Sequence, residues 1–219
     1  MTVSPNQIST EIEYPDADGK PMAESEQARE YLIYATKVLR IYFQDRSDVY
    51  VSGNLFIYYE KGNPRAVIAP DVFVVFGVNK GDRRSYKTWE ESNTPDFVLE
   101  ITSKSTQKED QETKPNIYAA LGVREYFQYD PTGDYLNPQL QGSRLVEGNY
   151  QPIAATMLPD DVLSVSSEVL GLELRLQSGK LRFLDPATGE MLLTHEEQVQ
   201  KSHSLAVKLW ELGIDPEKL

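Results

Sequence analysis

The chain has no cysteine, which removes disulfides, thiolate nucleophiles and zinc–cysteine sites in one step. Histidine is nearly as scarce. His195 and His203 are the only imidazoles, both near the C-terminus, which argues against a histidine-based triad or a multi-histidine metal centre. Any metal would therefore be held mainly by oxygen, the chemistry of magnesium, manganese or calcium. There is no run of about 18 apolar residues and no charged–apolar–small leader. The expectation is a soluble, unexported, cytoplasmic protein with no membrane partner. The G-x-G-x-x-G, Walker-type, G-x-S-x-G and H-E-x-x-H patterns are also missing. Positive charge is in short supply: 22 basic residues stand against 34 acidic ones, a net charge of −12. That balance disfavours loose, charge-driven binding of nucleic acid but leaves room for a local basic groove. Lys80, Arg83, Arg84 and Lys87 cluster in NKGDRRSYKTW, and Lys104 and Lys108 follow the next strand. Viewed alone, these residues read as solvated loops.

What is present suffices for one sizeable core, since 40% of the 219 residues are hydrophobic. Residues 1–21 read as an irregular arm rich in proline and aspartate. Residues 22–185 read as one α/β domain, and 186–219 as a C-terminal helical extension. Ala28, Tyr31, Leu32, Ala35, Val38, Leu39 and Tyr42 recur at helical spacing behind Ser25, a suitable cap. Three β-type runs follow: VYVSGNLFIYYE, AVIAPDVFVVFGV and DFVLEITS. A helical piece ending at Leu121-Gly122 leads to a fourth, VREYFQYD. The second and third runs are apolar on both faces, as strands in a sheet covered on two sides are. The strand–helix–strand step from Phe97 to Asp130 implies a crossover and a parallel pair. Beyond Pro131, RLVEGNYQPI and LELRLQSGKLRFL read as hairpins, either extending the same sheet or forming an appended layer. Thr194 and Glu197 form a capping box for a last helix reaching about Leu212, with Gly213 as its stop. Its narrow apolar face (Val199, Ala206, Leu209, Trp210) suits the domain or another chain.

The chemistry lies in carboxylates. Phe97, Leu99 and Ile101 share one strand face, and Val98, Glu100 and Thr102 the other. Glu100 thus sits in an apolar strand, where a carboxylate is costly unless paired or metal-bound. Asp71 opens the preceding run, and if the two strands are neighbours both carboxylates converge on one spot. Either they form part of a magnesium-type site or each is structural, Glu100 in an ion pair and Asp71 in a strand-start Pro-Asp. Thr102 stands two positions after Glu100, where no cation is available. Lys114, four residues before Tyr118, shares its helical face if both are helical. Thr106 and Glu109 form a capping box starting a helix near Gln107, yet Pro115 disfavours helical geometry at Lys114. Either that helix is kinked, or it starts near Thr113 with proline in its first turn.

Taken together, APDVFVV, PDFVLEITSKST, the D-x-x-x-K at Asp110 to Lys114, and YAALGVREYFQYDP resemble the Uma-two family of restriction-endonuclease-like proteins, within the PD-(D/E)XK nuclease superfamily. The resemblance implies an α/β fold with a central mixed sheet flanked by helices, so that residues 22–185 become a restriction-endonuclease-like domain. It implies Asp71 and Glu100 as catalytic residues and ligands of Mg2+ or Mn2+, with the Ile101 carbonyl as a third donor. Lys114 would be the catalytic lysine, displaced onto the helix from the place where Thr102 stands. Glu24 or Glu26 would add an acidic group. DNA is then the implied substrate, with Lys80, Arg83, Arg84, Lys87, Lys104 and Lys108 offered to its phosphates. A homodimer would supply the paired sites that cutting two strands needs. Two rivals stand beside this metal-dependent endonuclease: a non-catalytic nuclease-fold binding or assembly module, and a phosphodiesterase for a small substrate.

Overall fold

The computed structural model describes residues 12–16, 25–212 and 215. Helix α1 (Glu26–Tyr42) begins where Ser25 accepts the Ala28 N–H, and its buried face carries Ala28, Tyr34, Ala35, Val38 and Leu39. Strands β1 (Val49–Ser52) and β2 (Ile57–Tyr58) divide the first β-run, and β3 (Val67–Ile68) and β4 (Val72–Phe76) divide the second. Each expected run is therefore two strands in two sheets. The breaks fall at Gly53-Asn54 and Pro70-Asp71, which are joined by the Asn54 N–H donating to the Pro70 carbonyl. Next come β5 (Tyr86–Lys87) and β6 (Phe97–Ile101), then α2 (Lys114–Leu121), ended by Gly122 in the left-handed region that glycine favours (φ 77°). After α2 come β7 (Glu125–Tyr129), β8 (Leu140–Val146), β9 (Asn149–Pro152), β10 (Thr156–Leu158), β11 (Val162–Ser167), β12 (Leu172–Gln177), β13 (Lys180–Asp185) and β14 (Glu190–Met191). Helix α3 (His195–Glu211) closes the described chain.

The central sheet is mixed, in the order β1-β4-β6-β7-β8-β9. Within this sheet β6 and β7 run parallel, and the segment between them holds α2. The hairpin β8–β9 extends this sheet, whereas β12–β13 belongs to a separate antiparallel sheet, β10-β11-β12-β13-β14. Both placements left open by the sequence thus occur. β14 lies beyond residue 185, so the second sheet runs into the stretch expected to be helical. A three-stranded sheet, β3-β2-β5, completes the set. Phe97, Leu99, Ile101, Phe127 and Tyr129 face α1 and the second sheet, packing with Leu39, Val165 and Leu174. Val98 and Tyr126 face Tyr118 of α2 and Ile57 and Tyr86 of the small sheet. Both faces are covered, which is why these strands read as near-continuous apolar runs. Each buried Phe or Leu contributes about 1.5–3 kcal/mol.

Of the arm, residues 12–16 are irregular, and Tyr14 packs on Tyr58 and Trp89. At the other end, the Thr194–Glu197 capping box forms as expected. α3 has no buried residue; Val199, Leu205, Val207 and Trp210 are all exposed. Gly213 and Glu24 lie outside the described residues. Among those residues, no helix is long and apolar enough to cross a membrane.

The loop after β7 hangs on Asp130, whose buried carboxylate accepts the N–H groups of Tyr135 (2.6 Å), Thr132 (2.9 Å) and Leu136 (3.1 Å) and the Thr132 hydroxyl (2.8 Å). Burial pushes this carboxyl's pKa up, but the four donors outweigh it and leave the pKa below its ordinary 3.8. A depressed folded pKa means stability present above 3.8 and lost as pH falls through the folded value. Asp130→Asn should cost about 1–3 kcal/mol in urea unfolding at neutral pH. That difference should shrink in acid; a difference that does not change with pH would contradict it.

Candidate active site

β4 and β6 are antiparallel, with Val72 opposite Leu99 and Phe73 opposite Val98. Continued by one residue, this register sets Asp71 beside Glu100, on the same face of the sheet. The main chain locks the pair: Asp71 Oδ2 accepts the Ile101 N–H at 2.7 Å, and the Asp71 N–H points to Glu100 Oε2 at 3.4 Å. Gly53 permits this approach, because a Cβ there would lie 2.2 Å from the Asp71 carbonyl oxygen. Glu100 is fully buried, with Oε1 accepting the Tyr118 hydroxyl at 2.5 Å.

Lys114 enters from the helix. Its Nζ lies 2.8 Å from Glu100 Oε2 and 2.8 Å from Asp110 Oδ1, and only 7% of the residue is exposed. α2 starts at Lys114 with Pro115 in its first turn, one of the two courses expected, but the chain before it is helical too. The chain is helical over 107–121 without a break, but Glu109–Thr113 is a π-turn in which the Lys114 N–H bonds to the Glu109 carbonyl, five residues back. Pro115 accounts for it, because its ring crowds the carbonyl four residues back in an α-helix and it has no N–H to give. The wider turn releases the Asp110 carbonyl, which Tyr126 (2.7 Å) and Gln128 (3.1 Å) of β7 satisfy by donation. The helical run starts at Gln107, where the Thr106–Glu109 pair puts it. Ser103 takes the Gln107 N–H on its carbonyl, and Thr106 Oγ1 accepts the Ser103 N–H.

The site therefore holds three carboxylates, Asp71, Glu100 and Asp110, against one ammonium. Burial, then the charge of Glu100, push Asp71 well above the ordinary carboxyl range; Lys114 and the Ile101 N–H offset only part of this. Burial likewise raises Glu100, with Lys114 opposing and Asp110 adding to the shift. Lys114 is raised as well. Burial disfavours its ammonium, but Glu100, Asp110 and Asp71 together hold the proton on. At neutral pH, then, Lys114 acts as a fixed cation and not as a base.

Such a surplus of buried negative charge suits a divalent cation. Asp71 Oδ1 accepts no hydrogen bond from any described residue, and Glu100 Oε2 keeps lone-pair capacity beyond Lys114. Among the described residues, no group of three or more histidine, aspartate or glutamate side chains has metal-holding geometry. A divalent ion here would have two carboxylates as protein ligands and would need backbone, water or substrate to complete its shell.

The basic residues divide into two groups. Lys80 donates to the Phe43 and Gln44 carbonyls past the Phe76 end of β4, the end away from Asp71. Arg83 pairs with Glu91 at 2.6 Å over the Tyr50 ring, Arg84 with Asp16 at 2.7 Å, and Lys87 with Glu90 at 3.3 Å. Lys104 and Lys108, by contrast, are exposed just after β6 and make no ion pair with a described residue. Glu26 is exposed in the first turn of α1. Asp110, Tyr118, Tyr126 and Gln128 carry no role in the sequence reading. The one signal for them was the four-residue spacing of Asp110 and Lys114 and a polar Gln128, opposite Glu100, in an apolar strand.

A family model, Uma2, described as "Putative restriction endonuclease", matches residues 8–177. Among solved structures, the chain is similar to the crystal structure of "a putative nuclease belonging to DUF820" from Anabaena variabilis. The identity is 13% and the TM-score 0.45, covering 64% of this chain and 75% of that one. No curated protein matches.

Removing the ammonium leaves two buried carboxylates uncompensated. Lys114→Met should cost about 3–5 kcal/mol in denaturant unfolding, and a loss below about 1 kcal/mol would mean that Lys114 is not held in this cluster. Gly53→Ala should cost about 1–3 kcal/mol, since the Asp71 backbone must shift to admit the methyl. A Gly53→Ala protein as stable as the wild type would contradict that close approach.

Proposed function

The chain belongs to the Uma2 family, and from that premise we propose that it is a Mg2+- or Mn2+-dependent endonuclease that hydrolyses DNA phosphodiester bonds. The observation that carries this reading is the meeting of Asp71, Glu100 and Lys114 at one end of β4 and β6, with negative charge in excess. Asp71 and Glu100 would hold the cation, with the Ile101 carbonyl as a further oxygen donor. A bound divalent ion supplies a water of lowered pKa and stabilises charge developing on a phosphoryl oxygen. Lys114 keeps its proton and offers fixed positive charge to the phosphate, doing from the helix what a lysine at the Thr102 position would do from the strand. Tyr118 and Asp110 hold Glu100 and Lys114 in place. Lys104 and Lys108 are the unpaired cations nearest the site along the chain.

One observation favours the second reading, a non-catalytic nuclease-fold module. Glu100 is wholly buried and already engaged by Lys114 and Tyr118. The exposed apolar residues of α3 would then be where a partner meets the chain.

Plasmid nicking separates the two. With Mg2+ or Mn2+ the wild type should nick supercoiled DNA, and EDTA should stop it. Glu100→Gln should lower the rate by about a hundredfold or more. Nicking that survives Glu100→Gln would count against the site, and an inactive wild type with either metal would favour the module.

A further inference from the structure

Next to the carboxylate cluster, at the C-terminal ends of β6 and β7, lies a cleft of about 520 Å³. The crevice beyond the carboxyl ends of parallel strands is where α/β sheets commonly bind ligands. Its lining includes Ser25, Thr102, Lys104, Ser105 and Thr132. None of these residues brings a carboxylate.

Thr102 is the telling residue. It is 1% exposed, and its N–H completes the ladder by donating to the Tyr129 carbonyl. Its Oγ1, however, has no hydrogen-bond partner among the described residues. Leaving a buried hydroxyl unpaired costs about 1–3 kcal/mol. A valine would fill the same space without that cost, so the hydroxyl calls for a ligand.

Two helix starts border the same cleft. One is the N-terminus of the 17-residue α1, at Ser25. The other is the start of the helical run over 107–121, at Ser103. Around Ser103, the Thr106 and Gln107 N–H groups go to its carbonyl, while the Lys104 and Ser105 N–H groups make no bond to a described residue. Helix N-termini present free N–H groups and partial positive charge, which favour anions. The Lys104 ammonium adds a full charge and Ser105 a hydroxyl at the wall, whereas the Thr132 hydroxyl is already donated to the Asp130 carboxylate. Glu26, beside Ser25, stands as an opposing charge on α1 and is exposed to solvent.

We propose that this cleft is a phosphate subsite, taking a phosphate of the nucleic-acid strand next to the one at Asp71 and Glu100. Thr102 Oγ1, the Lys104 ammonium and the N–H groups of the Ser103 turn are its donors. The assignment rests on the endonuclease reading for the identity of the strand, but the anion site can be tested without any cleavage. It also gives Thr102 a task of its own, as a donor to the substrate in place of the cation that Lys114 supplies.

The test is calorimetric titration of the full chain with inorganic phosphate in EDTA, followed by short oligonucleotides with a 5′-phosphate or a 5′-hydroxyl. Wild type should bind phosphate saturably. Thr102→Val and Lys104→Ala should each weaken it by about tenfold or more. Thr102→Val should melt no lower than wild type, which separates lost binding from damaged folding. A preference for the 5′-phosphorylated oligonucleotide would make the ligand a strand end, and equal binding of the two an internal phosphodiester. No saturable binding by wild type, or equal binding by both variants, would overturn the subsite. Glu100→Gln should bind phosphate as wild type does. An inactive enzyme with intact phosphate binding would sink the endonuclease reading alone, and nicking without phosphate binding would sink the subsite alone.

Discussion

The molecule is organised around a buried ammonium placed among three carboxylates. Lys114 lies 2.8 Å from both Glu100 and Asp110, and Asp71 is fixed beside Glu100 by the strand register and the Ile101 N–H. Burying these groups costs more than their mutual attraction returns unless the geometry is good and the remaining lone pairs are satisfied. That requirement reaches far into the fold. It calls for the Tyr118 hydroxyl on Glu100, and it is met by the π-turn before Pro115 that turns Lys114 inward. It also draws Tyr126 and Gln128 of β7 onto the Asp110 carbonyl which that turn releases. With three carboxylates against one ammonium, negative charge is in excess, and Asp71 is the carboxylate without an ion pair to a described residue.

A second polar tie has no such surplus, and the contrast is instructive. Glu125, fully buried at the start of β7, accepts Arg144 through Nε (3.1 Å) and Nη2 (2.9 Å), the Ser167 hydroxyl, and the Glu168 N–H (3.1 Å). It joins the central sheet to the second one, and every donor it needs is present. A fully satisfied carboxylate of this kind is structural. Asp71, with the Ile101 N–H on one oxygen and the Glu100 carboxyl beside it, lacks such a set of donors.

Much of this was readable in the chain. Period-two alternation separates Phe97, Leu99 and Ile101 from Val98 and Glu100, and the two sets do pack in different cores. Caps at Ser25, Gly122 and Thr194 stand where residue chemistry puts them. The start of α2 with Pro115 in its first turn was among the courses read, but the π-turn ahead of it was not readable, because its freed carbonyl needs donors from a strand ten or more residues away. Nor was the division of VYVSGNLFIYYE and AVIAPDVFVVFGV into two sheets. A glycine or a proline in a β-run marks a bend without saying how large it is, and here the bend is set by the contact of Gly53 with the Asp71 backbone. The fate of the basic residues also depends on distant partners. Arg84 reads as a free cation until Asp16, 68 residues away, is seen to pair with it.

The central claim is that Asp71 and Glu100 hold a divalent cation beside the Lys114 ammonium. Crystals soaked in Mn2+ and measured at its absorption edge test it directly. The account predicts an anomalous peak in contact with both carboxylates, and its loss in Glu100→Gln crystals treated the same way. No peak there at saturating Mn2+, with Lys114 still paired to Glu100, would contradict it.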